Sequence, residues 1–142
     1  MGKVTIDGKE SQESYGLILA EAVIGQPELE TVIISVPGRS GALDCTEKLF
    51  GGPVYKNRTI TLTFKTRQKL AKTTWPELQT KLSTMWHGQT KRIIFSDDSL
   101  YFYEGRIDIK SFAVEGPLWT IKVEADCKPY KYLISDPTQK SL

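Results

Sequence analysis

The stretch Thr59-Ile60-Thr61-Leu62-Thr63-Phe64-Lys65 decides the fold class. Successive side chains of an extended strand point to opposite faces, so Ile60, Leu62 and Phe64 share one side. Thr59, Thr61, Thr63 and Lys65 share the other. One apolar and one polar face is the signature of an antiparallel strand covered on a single side. Trp119, Ile121, Val123 and Ala125 alternate in the same way with Thr120, Lys122 and Glu124. Two such strands in a chain of 142 residues already favour a sheet-based domain.

Working outward, Val4-Thr5-Ile6 followed by Asp7-Gly8 predicts a short strand entering a tight turn. Tyr15 to Val23 and Thr31 to Val36 are apolar stretches separated by Gly25-Gln26-Pro27. The β-branched Val32, Ile33, Ile34 and Val36 favour strand over helix in the second of these. Pro37-Gly38-Arg39-Ser40-Gly41 predicts a turn or loop. Residues 42–58 hold few apolar runs but contain Gly51-Gly52-Pro53, which predicts an irregular excursion or extended arm, strand-like at Val54-Tyr55. Further on, Arg92 to Phe95 predicts a strand and Ser96-Asp97-Asp98-Ser99 a turn. Leu100 to Phe112 predicts a long strand or a pair bent around Gly105, and Gly116-Pro117 turns again.

One helix interrupts the strands, from Trp75 to His87. Thr74 and Glu77 have capping-box spacing, Pro76 sits in the first turn and Gly88 supplies a stop. Trp75, Leu78, Leu82, Met85 and Trp86 fall on one stripe, which predicts a helix plugged against a sheet. The architecture expected is a mainly β, antiparallel β-sandwich or split barrel with one packed helix over about 74–87 and an extended arm or hairpin. Residues 1–134 form its single domain, followed by a polar tail, 135–142, expected to fray.

Composition narrows the function. Nineteen basic against seventeen acidic residues leave a net charge of +2, which by itself points to neither a nucleic-acid nor a membrane partner. No apolar run reaches the ~18 residues of a membrane span, and the N-terminus shows no signal-peptide core. Cys45 and Cys127 form no CxxC pair and His87 is the only histidine, short of the about four ligands of a structural zinc site. Two free, packed cysteines are expected, with a single disulfide left open. No metal and no cofactor are expected.

Catalysis is not expected. A triad would need His87, whose place at the helix C-terminus suits a structural role. No nucleophile elbow, Walker loop or dinucleotide fingerprint is present. Asp97-Asp98 suits a solvated hairpin turn better than a cation site. Lys65, Arg67, Lys69 and Lys72 lack interleaved aromatic platforms, so a solvated loop or subunit contact is expected there rather than nucleic-acid binding. Tyr101, Phe102 and Tyr103 put rings on both faces of one strand, so the second face should be covered by the helix or by another subunit. A carbohydrate-binding platform at Tyr101 and Tyr103 is the functional alternative.

Several pieces of the chain resemble, in order, the N-terminal domain of phage distal tail proteins, the Dit family. They are Ser14-Tyr15-Gly16-Leu17-Ile18-Leu19; Gly38, Arg39, Gly41, Leu43 and Asp44 with Thr46; and Asn57-Arg58 with Thr59-Ile60. The series continues with His87-Gly88; Asp97-Asp98; Tyr103, Gly105 and Arg106; and Cys127, Pro129 and Tyr130. The resemblance implies a virion protein, made in the bacterial host cytoplasm, that forms a hexameric ring at the distal end of a long, non-contractile phage tail. Its implied partners are further copies of itself, the tail tube protein, the tape-measure protein and the tail-associated hub protein at the tip or baseplate. A prophage origin fits equally. Many family members continue into a galectin-like second domain that this sequence lacks, so glycan binding is not carried over. A tail-tube or tail-terminator protein shares the architecture and is the alternative.

Ring subunits meet head to tail, one patch against a different patch on the next copy. An open sheet edge can be satisfied by a neighbour's arm. Segment 38–58 is the expected arm, with Leu43, Leu49, Phe50, Val54 and Tyr55 as its apolar anchors on the adjacent subunit.

Overall fold

The structure is a computed structural model. It describes residues 2–30, 33–35, 37–38, 42–44, 54–67 and 73–142, with 33–35 and 42–44 described by their backbone.

Strands β1 (Val4–Ile6) and β2 (Lys9–Glu10) lead to a short helix, α1 (Ser11–Tyr15), and then to β3 (Ile18–Ile24). β4 (Leu29–Glu30), β5 (Ile33–Ser35), β6 (Ala42–Asp44) and β7 (Val54–Tyr55) precede the long β8 (Arg58–Thr66). Helix α2 (Trp75–Trp86) follows, then β9 (Thr90–Phe95), a 3-10 turn (Ser96–Asp98), β10 (Tyr101–Glu115) and β11 (Leu118–Cys127). β12 (Lys131–Leu133) and β13 (Lys140–Ser141) close the chain.

Every pairing is antiparallel, and the main sheet runs β2-β1-β9-β10-β11-β8-β3, with β12 and β13 attached beside β10. The mainly β, antiparallel architecture with a packed helix stands as expected. Asp7 (φ 55°) and Gly8 (φ 77°) are both left-handed, which is the two-residue turn that the Asp-Gly pair favours. It sets Ile6 opposite Lys9.

Ile60, Leu62 and Phe64 are fully buried on the inner face of β8, beside Ile121, Val123 and Ala125 of β11. α2 covers that face with Leu78, Leu82 and Trp86. The Trp86 ring stands edge-on to Tyr15 at 5.5 Å and tilts against Phe64 at 6.1 Å. At the other end of the helix, Trp75 lies 4.7 Å from the Trp119 ring and edge-on to Phe112 at 5.7 Å. Aromatic pairs in these geometries add to the burial of their area, so both ends of α2 are anchored to the sheet.

Four details depart from the sequence expectation. Thr74 makes no side-chain cap at the start of α2. Thr73 instead donates its hydroxyl to Glu77 Oε2 at 2.8 Å, so the expected capping box is displaced by one residue and made without its backbone half. The Tyr15–Val23 stretch is split, because Gly16 (φ 70°) ends α1 in the left-handed conformation before β3 begins. Of the two alternatives for Leu100 to Phe112, β10 is the single long strand, unbroken at Gly105, and its irregularity is an unforeseen bulge between Ile109 and Ser111. The polar tail is not wholly frayed, since Lys140–Ser141 pairs with β12.

That bulge matters for packing. An extra residue flips the alternation, so Ile107 is inward before it and Phe112 inward after it. β3 does the same between Leu19 and Glu21, which turns Leu19 and then Ala22 toward the core and leaves Val23 half-exposed.

Gly105 is required by closeness rather than by bending. A Cβ there would collide with Cys127 Sγ and would lie 2.8 Å from both the Asp126 carbonyl oxygen and Cys127 Cα. Gly105→Ala is therefore expected to lower unfolding stability by about 1–3 kcal/mol, the usual cost of overpacking. Adding Cys127→Ala should recover only part of this, because the main-chain contacts remain. Urea unfolding of the single and double variants checks both statements.

Candidate functional site

Residues far apart in sequence meet at the end of the sheet where β8, β10 and β11 align. Arg58 stands opposite Cys127, and Cys127 opposite Gly105. Arg58 is only 3% exposed. Its Nε donates to the Pro129 carbonyl at 3.0 Å, and its guanidinium lies 5.6 Å from the Tyr103 ring centre. A buried cation loses its hydration, and an aromatic face plus a carbonyl return part of it. Its second terminal nitrogen has no hydrogen-bond partner among the described residues. Tyr130 carries the cluster outward, meeting Tyr55 edge-on at 6.0 Å.

Pro129 has no N–H to donate, and it lies where pairing with β10 breaks off between β11 and β12. The chain rejoins at Phe102, opposite Tyr132. The Tyr132 ring lies 5.6 Å from Phe102, and the Arg92 guanidinium 4.4 Å from the same ring, leaving Phe102 3% exposed. The second face of this strand is thus covered by the chain's own C-terminal segment, not by the helix or another subunit as expected. Tyr103 is buried against Phe95 at 5.9 Å, so a sugar platform at Tyr101 and Tyr103 would lack one of its two rings. Lys131 beside Tyr101 donates to Asp98 Oδ2 at 2.6 Å, and that bond holds the ammonium's pKa above its ordinary value. Asp97 is exposed on the same 3-10 turn.

A second group forms where α2 hands over to β9. Gly88 (φ 76°) donates its N–H to the Ile107 carbonyl at 2.7 Å, and Ile107 N–H donates to the Gln89 carbonyl at 2.9 Å. Arg106 donates to the Gly88 carbonyl at 3.1 Å. Ile109 N–H then donates to His87 Nδ1 at 3.1 Å. The imidazole thus acts as one more ladder acceptor, continuing the edge of β10 past the end of β9. Asp108 Oδ1 lies 3.7 Å from the same nitrogen, but an Nδ1 that accepts carries no proton, so the two do not form an ion pair in this state. Lys110 donates to Asp108 Oδ2 at 2.6 Å, and that hydrogen bond pulls the carboxyl below its usual range. These residues line an open groove of about 360 Å³ with Thr59, Glu124 and Asp126. A smaller cleft of about 230 Å³ opens between β3 and the 3-10 turn, over Phe95 and Tyr103.

The third feature is backbone. Leu29 pairs with Tyr55 and Glu30 with Val54, while Ile33 pairs with Asp44, Ile34 with Leu43 and Ser35 with Ala42. Each ladder is a separate two-stranded unit, β5 and β6 lying between β4 and β7 in chain order, and among the described residues neither joins the main sheet. Gly38 sits in the left-handed conformation (φ 77°) between β5 and β6. β3, at the margin of the main sheet, pairs only with β8 among the described residues. Along it Ile18, Val23 and Ile24 are 41–50% exposed.

Of the residues singled out by sequence, Arg58, Tyr103, Gly105, Cys127, Pro129 and Tyr130 gather into one cluster, and His87, Gly88 and Arg106 into another. Asn57 is exposed beside the first. Val54 is exposed and Tyr55 half-buried, while Leu43 and Asp44 lie in β6. Arg39, Gly41, Leu49 and Phe50 lie outside the described residues, as do Cys45, Lys69 and Lys72. Sequence reasoning missed Tyr132 as the cover of Phe102, although the two-sided aromatics posed that question.

No family model matches the chain, and no curated protein matches it. Among solved structures, the crystal structure of the Dit protein (gp 19.1) of phage SPP1 superposes with a TM-score of 0.68 at 16% identity. That protein is described as a paradigm of the hub adsorption apparatus in phages infecting Gram-positive hosts. The likeness is one of fold. It covers 94% of this chain and 52% of the other, so this chain spans about half the length of the structure it matches.

Cys127 is a free thiol with no exposed surface, and burial pushes its pKa up to about 12. Because the unfolded thiol ionises near its ordinary 9, the folded state binds the proton more tightly. The associated stability is therefore fully present below about pH 9 and is lost as pH rises toward 12. Stability of the native chain relative to Cys127→Ala should be flat below pH 9 and fall above it. Alkylation of Cys127 at pH 8, followed by mass spectrometry, should occur only on unfolding.

Proposed function

We propose that this chain is a structural subunit of a phage tail, forming a hexameric ring at the distal end of the tail tube. The ring would join the tube and the end of the tape-measure protein to the tail-associated hub protein at the tip or baseplate, and its place is the virion. The observation that carries this reading is the fold shared with SPP1 Dit over 94% of the chain. The ordered series of sequence pieces quoted above supports it independently, since many of them converge in space on the Arg58 and His87 clusters.

The assembly chemistry follows from two features. Among the described residues the β4–β7 and β5–β6 ladders pair with nothing outside themselves, and β3 pairs only with β8 and bears the exposed Ile18, Val23 and Ile24. Unpaired edges template further pairing. A hairpin on one copy and an edge on the next make a head-to-tail contact, which closes into a ring when the rotation fits. The arm expected over residues 38–58 then ends before Arg58, which belongs to β8; Leu43, Leu49, Phe50 and Val54 are its anchors, and Tyr55 ties its base to Tyr130 of its own chain. No catalytic step is assigned to the chain.

Native mass spectrometry at high protein concentration, with negative-stain microscopy of the same sample, tests this. Single or double rings of six copies are expected. Deletion of residues 40–56 should leave a monomer whose helix-and-sheet core still folds by circular dichroism. An unchanged oligomer in the deletion variant would overturn the arm assignment. Long cylinders would instead identify a tube protein.

A further inference from the structure

We infer that His87 is an acid-released latch on the edge of β10, a property that does not rest on the ring assembly. The Ile109 N–H donates to His87 Nδ1, and only the neutral imidazole offers that lone pair. Histidine is the side chain whose charge changes between about pH 5 and 8. Protonation places a hydrogen on Nδ1, facing the hydrogen of the Ile109 amide, and the bond gives way to repulsion. The imidazolium has a new partner close by, since Asp108 Oδ1 is 3.7 Å from Nδ1 in the present arrangement. A small ring rotation therefore exchanges one hydrogen bond for an ion pair.

The surroundings accept the charged form in place. β10 presents Arg106, Asp108 and Lys110 to the groove and β11 presents Glu124 and Asp126, while β8 contributes the uncharged Thr59. Three carboxylates thus face two cations. The ring also sits at the C-terminal end of α2, where the last carbonyls favour a cation. Acid then frees the Ile109 amide without unseating the helix, which keeps its Leu78, Leu82 and Trp86 anchors.

The released position has a specific neighbour. Ile109 is the last residue before the β10 bulge, beyond which Phe112 turns inward against Trp75. The bulge is held on one side by β11 and on the other by the His87 bond. Acid removes the second hold and loosens the wall of the groove at Lys110.

Hydrogen exchange of the Ile109 amide, read by ¹H–¹⁵N spectra and corrected for intrinsic rates, tests the latch. In the native chain, protection of Ile109 should fall by about five- to tenfold from pH 8 to pH 5, matching the loss of one hydrogen bond. The Ile107 amide, bonded to the Gln89 carbonyl, should keep its protection. His87→Asn, whose carbonyl oxygen replaces Nδ1 as acceptor without titrating, should protect Ile109 equally at both values. His87→Ala should leave it unprotected at both. The proposal fails if Ile109 protection is independent of pH in the native chain, if Ile107 loses protection in parallel, or if His87→Ala protects Ile109 as well as the native residue does.

Discussion

The β10–β11 ladder sets the position of almost everything else, and its tightest point is the approach of Gly105 to Cys127. With no side chain at Gly105, the two strands come close enough for Cys127 to bury completely. Arg58 on β8 then lies within reach of both the Tyr103 ring and the Pro129 carbonyl. Move the strands apart and the guanidinium loses the two groups that offset its dehydration. The same ladder, read toward its other end, carries Phe112 and Trp119 to the Trp75 ring and so determines where the helix begins its contact. A single close approach thus connects the polar cluster at one end of the molecule to the aromatic anchor at the other.

Much of this architecture was legible in the amino-acid order. Period-two alternation in residues 59–65 and 119–125, the stripe on Trp75 to Trp86 and the Asp7-Gly8 turn each rest on local chemistry, and each appears in the structure, except that Thr120, on the polar side of the second alternation, is buried. What escaped was non-local. A bulge is invisible to alternation until the partner strand is known, so the sequence left open whether β10 runs as one long strand or bends at Gly105. Its parity changes at Lys110 instead. Phe102 called for a cover, but nothing local indicates that Tyr132, thirty positions on, supplies it. Thr73 rather than Thr74 engages Glu77, and two neighbouring threonines cannot be told apart by spacing alone.

The candidate site was legible as a set of residues but not as an arrangement. His87 and Gly88 read as a helix stop, and they are that, but they also complete the hydrogen bonding of a strand that lies twenty residues later. Arg58 carried no sign of burial, since an arginine following an asparagine ordinarily faces water. Its setting depends on Pro129 and Tyr103, neither of which is near it in the chain. The likeness to SPP1 Dit is consistent with this pattern, for 16% identity leaves few shared residues while the fold persists over nearly the whole chain.

The kink in β3 between Leu19 and Glu21 has a consequence for encounters with other chains. A straight border accepts any extended peptide in many alignments, which is how indiscriminate clumping starts. A border offset part-way along its length offers two short, mutually displaced docking tracks. A visitor that zips up one track runs out of step on the other unless it carries a compensating offset of its own. The stickiness of the exposed isoleucines and valine is thereby rationed to a guest of matching contour, and a flank with no further strand on it among the described residues need not invite every passing one.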